Sequence, residues 1–382
     1  MVNGSPVTRL PAGAEDSSGA STGAGQAVRA TQLSMSSVAA VRASGSTPPV
    51  RVVRGRRPRA RWVQVVALYA VMVAAVVTVV FLLPRLMPGD PLQSLEDPTS
   101  GSFLSDPQVR EKVSAYYGLD QPLGTQYLTY LSGLLHGDFG WSIGQNVAVR
   151  GLVAERLPWT LLLTGCALIL SSTLSFLAGV TAAWQRGKLV DRGLIALLSA
   201  GRTVPEYAVA GLLLTCFAVL LPVFPLSGAQ ASFVSYDTAF AAVGDVLQHL
   251  ALPLAALTIG LAGRNFLIVR NATVATLGED YMVLGRAKGL SRRRLKYGYS
   301  GRNALLPFVA ALGTQAGFAV SGSLFTETVF AYPGMGTLMN SAVSARDYPV
   351  LQSSFLVLAV MVLAANAIVE LFYRRVDPRV GR

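Results

Sequence analysis

Residues 62–83 read WVQVVALYAVMVAAVVTVVFLL, a run of 22 residues that contains no charged side chain. A helix needs about 20 apolar residues to cross a hydrocarbon core about 30 Å thick, because lipid offers no partner for an unpaired backbone group. This run therefore predicts a membrane-spanning helix. It decides the fold class because five more candidate runs follow it, at 159–183, 193–221, 250–270, 304–326 and 350–373.

The composition of the whole chain is that of a membrane protein. Of its 382 residues, 52% are hydrophobic and 14% are charged, whereas soluble domains carry about 25% charged residues. In a soluble protein the net charge of +12 would suggest a nucleic-acid partner. Here we expect the basic residues to face the cytoplasm and anionic lipid, and no nucleic acid. With two cysteines and two histidines, the sequence predicts no metal site.

The basic residues alternate along the connections between the predicted spans. One set of connections contains 23 Lys and Arg and comprises 1–61, 184–192, 271–303 and 374–382. The other set contains 6 and comprises 84–158, 222–249 and 327–349. By the positive-inside rule, this alternation predicts an all-α polytopic membrane protein with six transmembrane helices and both termini in the cytoplasm.

The same pattern divides the chain into four parts. Residues 1–61 are rich in Ala, Gly, Ser, Pro and Arg and have no apolar period, which predicts a disordered basic cytoplasmic tail. Residues 62–83 form the first transmembrane helix, which we expect to be an uncleaved anchor. Residues 84–158 form an extracytoplasmic segment. Residues 159–382 form a core of five transmembrane helices with a cytoplasmic loop at 271–303.

The third predicted span carries charge at a proline. Pro205 should kink or unwind the helix, and Arg202 and Glu206 flank it four residues apart, so that they could pair in helical geometry. A charged side chain at membrane depth needs a partner or water. The two residues therefore either hold the kink as a buried pair or line a polar path.

The cytoplasmic loop contains the most informative stretch, GEDYMVLGRAKGLSRRRLKYGYSGRNALLP at 278–307. Its first part predicts a short helix from Asp280 to Lys288 that stops at Gly289, because glycine adopts positive φ without strain. Such a helix could dock into a cytoplasmic partner. The alternative is an ordinary basic loop that obeys the positive-inside rule.

The search for catalytic residues finds little. GYSG at 298–301 fits a pattern of intramembrane serine proteases, but both histidines are predicted to lie across the membrane from Ser300. No G-x-x-x-x-G-K-[ST] loop is present to bind nucleotide phosphates. If ATP drives this protein, another chain must bind it.

Several motifs together resemble one family. The loop order D-Y-M-x-x-x-R-A-K-G-L, a basic stretch and R-N-A-L-L-P resembles the coupling loop of the permease B subunits of dipeptide- and oligopeptide-type ABC importers. The resemblance extends to other motifs in the same order and covers about residues 62–380. These are PGDP at 88–91, YGLDQPLGTQYLTYLSGLLHGDFGWS at 117–142, ETVFAYPGMGTLMNSAVSARDYPVLQ at 327–352 and NAIVELFYRRVDPR at 366–379.

The resemblance implies a function and a set of partners. It implies a type I ABC importer permease fold in a bacterial plasma membrane, where the chain forms half of a pore for peptides, or for haem or related small solutes. The expected partners are a second homologous permease, two ATP-binding subunits, an extracytoplasmic substrate-binding protein and membrane lipid. ATP and Mg²⁺ would be held by the ATPases, and this chain would bind no cofactor and catalyse no reaction.

The resemblance also assigns roles to residues. The coupling loop would comprise Asp280, Tyr281, Arg286, Ala287, Lys288, Gly289 and Leu290. Candidates for the translocation path or gate are Arg202, Pro205, Glu206, Glu327 and Asn366, although Asn366 also suits a hydrogen bond between helices. Small residues of the fifth span, Gly313, Gly317, Ser321 and Gly322, suit either a permease–permease interface or packing within the chain.

The sequence departs from the family at 298–303, where GYSGRN replaces the common R-H-A-L-R-N.

One alternative function from another class stays open. The chain could be a membrane anchor or sensor that transports nothing and holds a partner through its basic loop.

Overall fold

The structure is a computed structural model that describes residues 58–86, 121–142, 144–231 and 233–376. Most of the predicted tail, residues 1–57, lies outside the described residues. So do residues 87–120 of the predicted extracytoplasmic segment.

Within the described ranges the chain forms ten α-helices and no β-strand. The helices are α1 (Pro58–Leu86), α2 (Leu123–Leu135), α3 (Val149–Trp184), α4 (Leu189–Thr203), α5 (Glu206–Leu214), α6 (Ala239–Thr276), α7 (Asp280–Ala287), α8 (Arg302–Val329), α9 (Met335–Ser344) and α10 (Tyr348–Val376). Two π-helical segments extend this set: Thr215–Leu220 continues α5, and Arg294–Gly301 leads into α8.

The helices long and apolar enough to cross a membrane match the six predicted spans. Five of them lie in α1, α3, α6, α8 with its π-helical lead, and α10, and each contains one predicted run. The sixth predicted run falls on α4 and α5 with its π-helical continuation, which are bent by 100° and are apolar enough to cross a membrane only when the two are taken together as one broken span. The predicted fold class, an all-α polytopic membrane protein, is confirmed.

Two helices extend well beyond their apolar runs. α3 has 36 residues and α6 has 38, lengths of about 54 and 57 Å at 1.5 Å per residue. α6 begins eleven residues before the predicted run because the Thr238 side chain accepts a hydrogen bond from the Ala241 backbone nitrogen and caps the helix there. Both helices therefore project beyond a hydrocarbon core of about 30 Å.

The centre of the bundle is the contact between α3 and α6. Their backbones approach at Gly179, where a methyl group would lie 2.8 Å from Cβ of Val269. The apolar core next to this crossing is formed by α3, α6 and the turn after α8, with Leu163, Ala167, Leu257, Leu261 and Tyr332 among its fully buried members. α6 is the more buried of the two helices, whereas α3 also presents exposed apolar side chains such as Leu161 and Ile169.

α1 packs at the edge of the bundle, against α2 and α10. Its Phe81 ring lies 5.0 Å from the ring of Tyr127 and 5.6 Å from that of Tyr130 on α2. Between these helices lies a groove of about 1200 Å³ that is lined mostly by apolar side chains, with Tyr69, Tyr127 and Glu370 among the others. We call this feature the apolar groove.

The loop before α3 is attached to the start of α10. Ser142 donates a hydrogen bond through its hydroxyl to Asp347, and the backbone nitrogen of Gly144 donates to the same carboxylate at 3.0 Å. The Ser353 hydroxyl also donates to the Phe139 carbonyl at 3.0 Å. These contacts join the segment that follows α2 to the opposite end of the chain.

Candidate functional site

The bent span breaks where the sequence places Pro205. α4 ends at Thr203 and α5 begins at Glu206. Val204 between them is extended, with φ −84° and ψ 128°, because the proline ring disfavours helical backbone at the residue before it. Pro205 has no N–H to lose at the start of a helix. The predicted interruption is confirmed, and its result is a bend of 100°.

Glycines of α6 let the bent span approach its backbone closely. A methyl group on Gly263 would lie 3.0 Å from the Arg202 backbone nitrogen and would overlap the Leu198 carbonyl oxygen. One turn earlier, a methyl group on Gly260 would lie 2.9 Å from Cγ of Glu206. Only glycine leaves this space. α6 therefore fixes the last turn of α4 and the first residue of α5.

Glu206 forms its ion pair with Arg264 of α6. The guanidinium donates to Glu206 Oε1 at 3.2 Å. The predicted pair of Arg202 with Glu206 assumed a continuous helix, in which residues four apart share one face. The bend removes that geometry and Arg202 is exposed, so this part of the prediction is wrong.

The ion pair opens onto a face that no other part of the described chain covers. The Arg264 guanidinium lies 4.2 Å from the centre of the Phe318 ring on α8, a cation–π contact. The Tyr207 ring lies 6.3 Å from that of Phe325. Exposed positions follow α8 at helical spacing: Thr314, Phe318, Ser321 and Phe325. We call this surface, with Arg202, Glu206, Tyr207 and Arg264, the open polar face.

Glu327 lies fully buried near the end of α8 and not on the open polar face. Its Oε2 accepts a hydrogen bond from the Gly336 backbone nitrogen at 2.6 Å. A methyl group on Gly334 would overlap the carboxylate. The predicted gate residue thus holds the glycine-containing turn between α8 and α9.

The same turn is buried against α3. The Met335 backbone nitrogen donates to the Thr160 hydroxyl at 2.8 Å, and the Tyr332 ring meets Trp159 edge-on at 5.9 Å. Burial raises the pKa of the Tyr332 hydroxyl far above its ordinary value, and the nearby Glu327 carboxylate raises it further. The phenol therefore stays neutral, and the turn is a fixed part of the bundle.

The glycines of α8 pack within the chain. A methyl group on Gly313 would lie 2.6 Å from Oδ1 of Asn366 on α10, and one on Gly317 would lie 3.8 Å from Val362. Asn366 itself donates to the Val362 carbonyl one turn earlier in α10, at 3.1 Å. Of the two interpretations left open for these small residues, the described contacts favour packing inside the subunit for the glycines, whereas Ser321 is exposed.

The short helix predicted in the loop is present as α7, and it is followed by a turn. Gly289 has φ +71°, the left-handed conformation that glycine adopts without strain. The buried Met282 and Gly285 hold α7 in place, and a methyl group on Gly285 would lie 2.7 Å from the Leu295 side chain. On its outer side Val283 and Leu284 are exposed. α7 is therefore supported on one side and presents apolar side chains on the other.

The serine of GYSG has no environment for nucleophilic catalysis. Ser300 is fully buried and shares a hydrogen bond of 2.5 Å with the Thr276 hydroxyl. A hydroxyl cannot act as the general base that a serine nucleophile needs. Over the described part of the chain, no group of three His, Cys, Asp or Glu side chains could hold a metal ion.

Sequence reasoning missed one buried ion pair. Arg270 of α6 donates to both carboxylate oxygens of Asp191 at 2.7 and 2.8 Å, and the Gly187 backbone nitrogen donates to the same carboxylate at 2.9 Å. The only signal was a single acidic residue in the otherwise basic connection 184–192. This pair holds the start of α4 on the end of α6.

Known proteins resemble this chain over most of its length. A family model described as "Binding-protein-dependent transport system inner membrane component" matches residues 175–382. A putative peptide permease of Brucella suis is 34% identical over 310 residues, which cover 81% of this chain and 95% of that protein. The di/tripeptide transport system permease DppB of Pseudomonas aeruginosa is 34% identical over 316 residues, 78% of this chain and 92% of that protein. A chain of the MetNI methionine ABC transporter in an inward-facing conformation has a TM-score of 0.48 at 17% identity, over 59% of this chain and 96% of that one.

Proposed function

The chain belongs to the inner membrane components of binding-protein-dependent transport systems, among the peptide permeases of ABC importers, and from this premise we propose that it forms one half of a pathway for short peptides. The observation that supports the pathway most directly is the open polar face. It places Glu206 and Arg264 beside exposed aromatic rings on helices that are long and apolar enough to span a membrane.

Charge on such helices restricts what the face can contact. An arginine at the centre of a membrane helix costs about 2.5 to 3.5 kcal/mol on insertion scales unless it meets water or a partner. Arg264 contacts Phe318, which lies near the middle of α8. The open polar face therefore meets a second, homologous permease and the water-filled path between the two subunits.

The apolar groove supports the same orientation. The apolar groove between α1, α2 and α10 is lined mostly by apolar side chains, and its carboxylate, Glu370, accepts a hydrogen bond from the Tyr69 hydroxyl, so exposure to lipid costs the groove little. α1 lies toward membrane lipid, and α8 lies toward the partner and the path. Both termini would lie in the cytoplasm of a bacterium, and residues 84–158 with the other outer loops would receive peptide from a substrate-binding protein.

The predicted path residues take different parts in this proposal. Arg202, Pro205 and Glu206 line the path because they form the bend and lie on or beside the open polar face. Glu327 acts from a buried position by fixing the turn at the outer end of α8. Asn366 supports the gate indirectly, since its amide covers Gly313 at the contact of α8 with α10.

Two ATP-binding subunits would drive the cycle through the coupling loop, with ATP and Mg²⁺ bound entirely in those partners. α7 is suited to act as a docking element, because the buried Met282 holds it on one side while Val283 and Leu284 remain exposed on the other. The loop from Asp280 to Leu290 connects α6 to the π-helical segment that leads into α8. Movement of α7 would therefore be transmitted directly to α6 and α8, two helices that contribute to the open polar face.

The test is uptake of a radiolabelled dipeptide into proteoliposomes that contain the whole assembly. Gly289→Val should abolish uptake while the chain still inserts, because a β-branched residue is strained at φ +71°. Gly278→Val is the matched control, since Gly278 lies in the same loop with open space around it. Normal uptake by Gly289→Val would remove the loop from the mechanism. An assembly whose ATP hydrolysis never responds to loaded binding protein would instead favour the anchor or sensor.

A further inference from the structure

We propose that Glu206 and Arg264 recognise the two charged termini of the transported peptide. The ion pair opens, and each side chain binds one terminus of the peptide in place of the other side chain. In this exchange Arg264 releases Glu206 and binds the peptide carboxylate, and Glu206 binds the peptide ammonium group. The proposal rests on the proposed function and adds to it the chemical groups of the peptide that the path recognises, its two charged termini.

The geometry of the pair suits exchange. A single guanidinium nitrogen donates to a single carboxylate oxygen at 3.2 Å, and 28% of the Arg264 side chain and 17% of the Glu206 side chain remain exposed. A bidentate arginine–carboxylate contact would be stronger and more rigid. Each member therefore keeps hydrogen-bonding capacity that a ligand can reach from the open polar face.

Glu206 is the fixed member of the pair. Gly260 and Gly322 lie on either side of its side chain, and methyl groups there would lie 3.1 Å from Oε1 and 3.2 Å from Oε2. Two glycines on two different helices, α6 and α8, thus leave a space that fits this carboxylate. A negative charge held in a shaped space is a defined site for an ammonium group.

Arg264 is the movable member. Its guanidinium lies over the Phe318 ring at 4.2 Å, and that ring is itself exposed. An arginine has a long flexible stem, and a ring face offers it an alternative contact when it leaves its carboxylate. The pair can therefore separate by movement of Arg264 alone, while Glu206 stays between the glycines.

Charge balance explains why a peptide with two free termini would be accepted. The Glu206–Arg264 pair is neutral before exchange, and its charges stay balanced when a zwitterion enters, because each charge keeps one opposite partner. A peptide with one blocked terminus would leave Arg264 or Glu206 without a partner, and an unpaired charge in a desolvated site is costly. The side chains of the peptide take no part in this balance. Exposed Tyr207 and Phe325 offer them apolar surface without hydrogen-bond selection.

The test measures which peptides the complete assembly transports into proteoliposomes, with the second permease, the ATPases and a saturating binding protein. Three labelled forms of one dipeptide are compared: the free form, the N-acetylated form and the C-terminal amide. For each form, flux through a variant is divided by flux through the unchanged chain, so that the preference of the binding protein cancels. ATP hydrolysis stimulated by the binding protein is measured in parallel to establish that each variant assembles.

Arg264→Gln should lower flux of the free dipeptide about tenfold or more and should lower flux of the amide much less, because the amide has no carboxylate to lose. Glu206→Gln should show the mirror result, with the N-acetylated form least affected. Arg264→Lys should retain most of the discrimination. Arg192→Gln, which removes an exposed arginine at the start of α4, should change no ratio.

Equal loss for all three forms, with ATP hydrolysis intact, would overturn the proposal and leave the pair a structural contact. Unchanged flux in both variants would overturn it as well. If the unchanged assembly moves no peptide of any form, the proposed function fails first and the recognition of termini fails with it.

Discussion

Two ion pairs connect the bent span to α6, and they differ in the number and length of their hydrogen bonds and in their exposure. Asp191 and Arg270 form two hydrogen bonds of 2.7 and 2.8 Å with side-chain exposures of 3% and 16%. Glu206 and Arg264 form one hydrogen bond of 3.2 Å and are more exposed. The first pair lies where α4 begins, and the second lies where the span bends.

The difference indicates that the two arginines of α6 are held to different degrees: Arg270 is held firmly at the start of α4, whereas Arg264 at the bend can change its partner. A bidentate contact fixes both distance and orientation, whereas a single exposed contact fixes neither. Arg264 should therefore leave its carboxylate more readily than Arg270 leaves Asp191. Mutations in each pair and at the contact between the span and α6 test this difference.

The largest effect is expected from Asp191→Asn. It leaves the largely buried Arg270 without a counter-charge, and loss of one partner of a buried pair costs about 3 to 5 kcal/mol. The free energy of unfolding in detergent, followed by denaturant titration, measures this loss. Asp237→Asn, at an exposed position, is the control and should change little. A smaller loss for Asp191→Asn than for Glu206→Gln would reverse the comparison.

A second effect is expected from Gly263→Ala. The added methyl group would meet the backbone of Leu198 and Arg202, which cannot move as a side chain can, and such overpacking costs about 1 to 3 kcal/mol. Gly211→Ala should instead gain up to about 1 kcal/mol, because Gly211 lies in α5 with open space around it. Equal results for the two variants in the same unfolding assay would mean that the bent span is not held by close backbone contact.

Glu206→Gln should have a smaller effect on stability, a loss of about 1 kcal/mol, since a single, partly exposed charged contact contributes little net energy. A double-mutant cycle with Arg264→Gln gives the coupling energy of the pair. The corresponding cycle of Asp191→Asn with Arg270→Gln should give a clearly larger value. Equal coupling energies would remove the distinction between a firmly held and an exchangeable arginine.

The smallest effect is expected from salt. Raising ionic strength from 0.1 to 1 M shortens the screening length from about 10 to 3 Å. The stability difference between the unchanged chain and Glu206→Gln should then shrink by a few tenths of a kcal/mol. The difference for Asp191→Asn should hold nearly constant, because buried pairs are screened less. The reverse order of salt sensitivity would contradict the assigned exposures.

Local features of the fold could be predicted from the sequence because their physics is local. Six apolar runs predict six spans, Pro205 predicts the break, and Gly289 predicts the end of α7. Each depends on a few consecutive residues and on the solvent around them. Hydropathy did not predict the true length of α6. It identifies only the apolar residues that can lie in the membrane, whereas the cap at Thr238 sets where the helix begins.

The pairing of charges could not be predicted in the same way. Glu206 and Arg264 are 58 positions apart, and Asp191 and Arg270 are 79 apart. Sequence spacing suggested Arg202 as the partner of Glu206, since only neighbours four apart can be matched without a fold. The crossing of α4 and α5 over α6, made possible by Gly260 and Gly263, determines the true partners. The roles of the path and coupling-loop residues remain predictions that the experiments above address.

The uninterrupted part of α6 has a mechanical consequence. From Pro253 to Thr276 the helix continues without another proline, a rod of about 36 Å, and only three residues separate its end from α7. A rod of that length acts as a lever, and a tilt of about 10° displaces one end by about 6 Å relative to the other. Arg264 lies near the middle of this rod, so the same tilt about Pro253 would move it by about 3 Å against the α8 rings, without any bending in between.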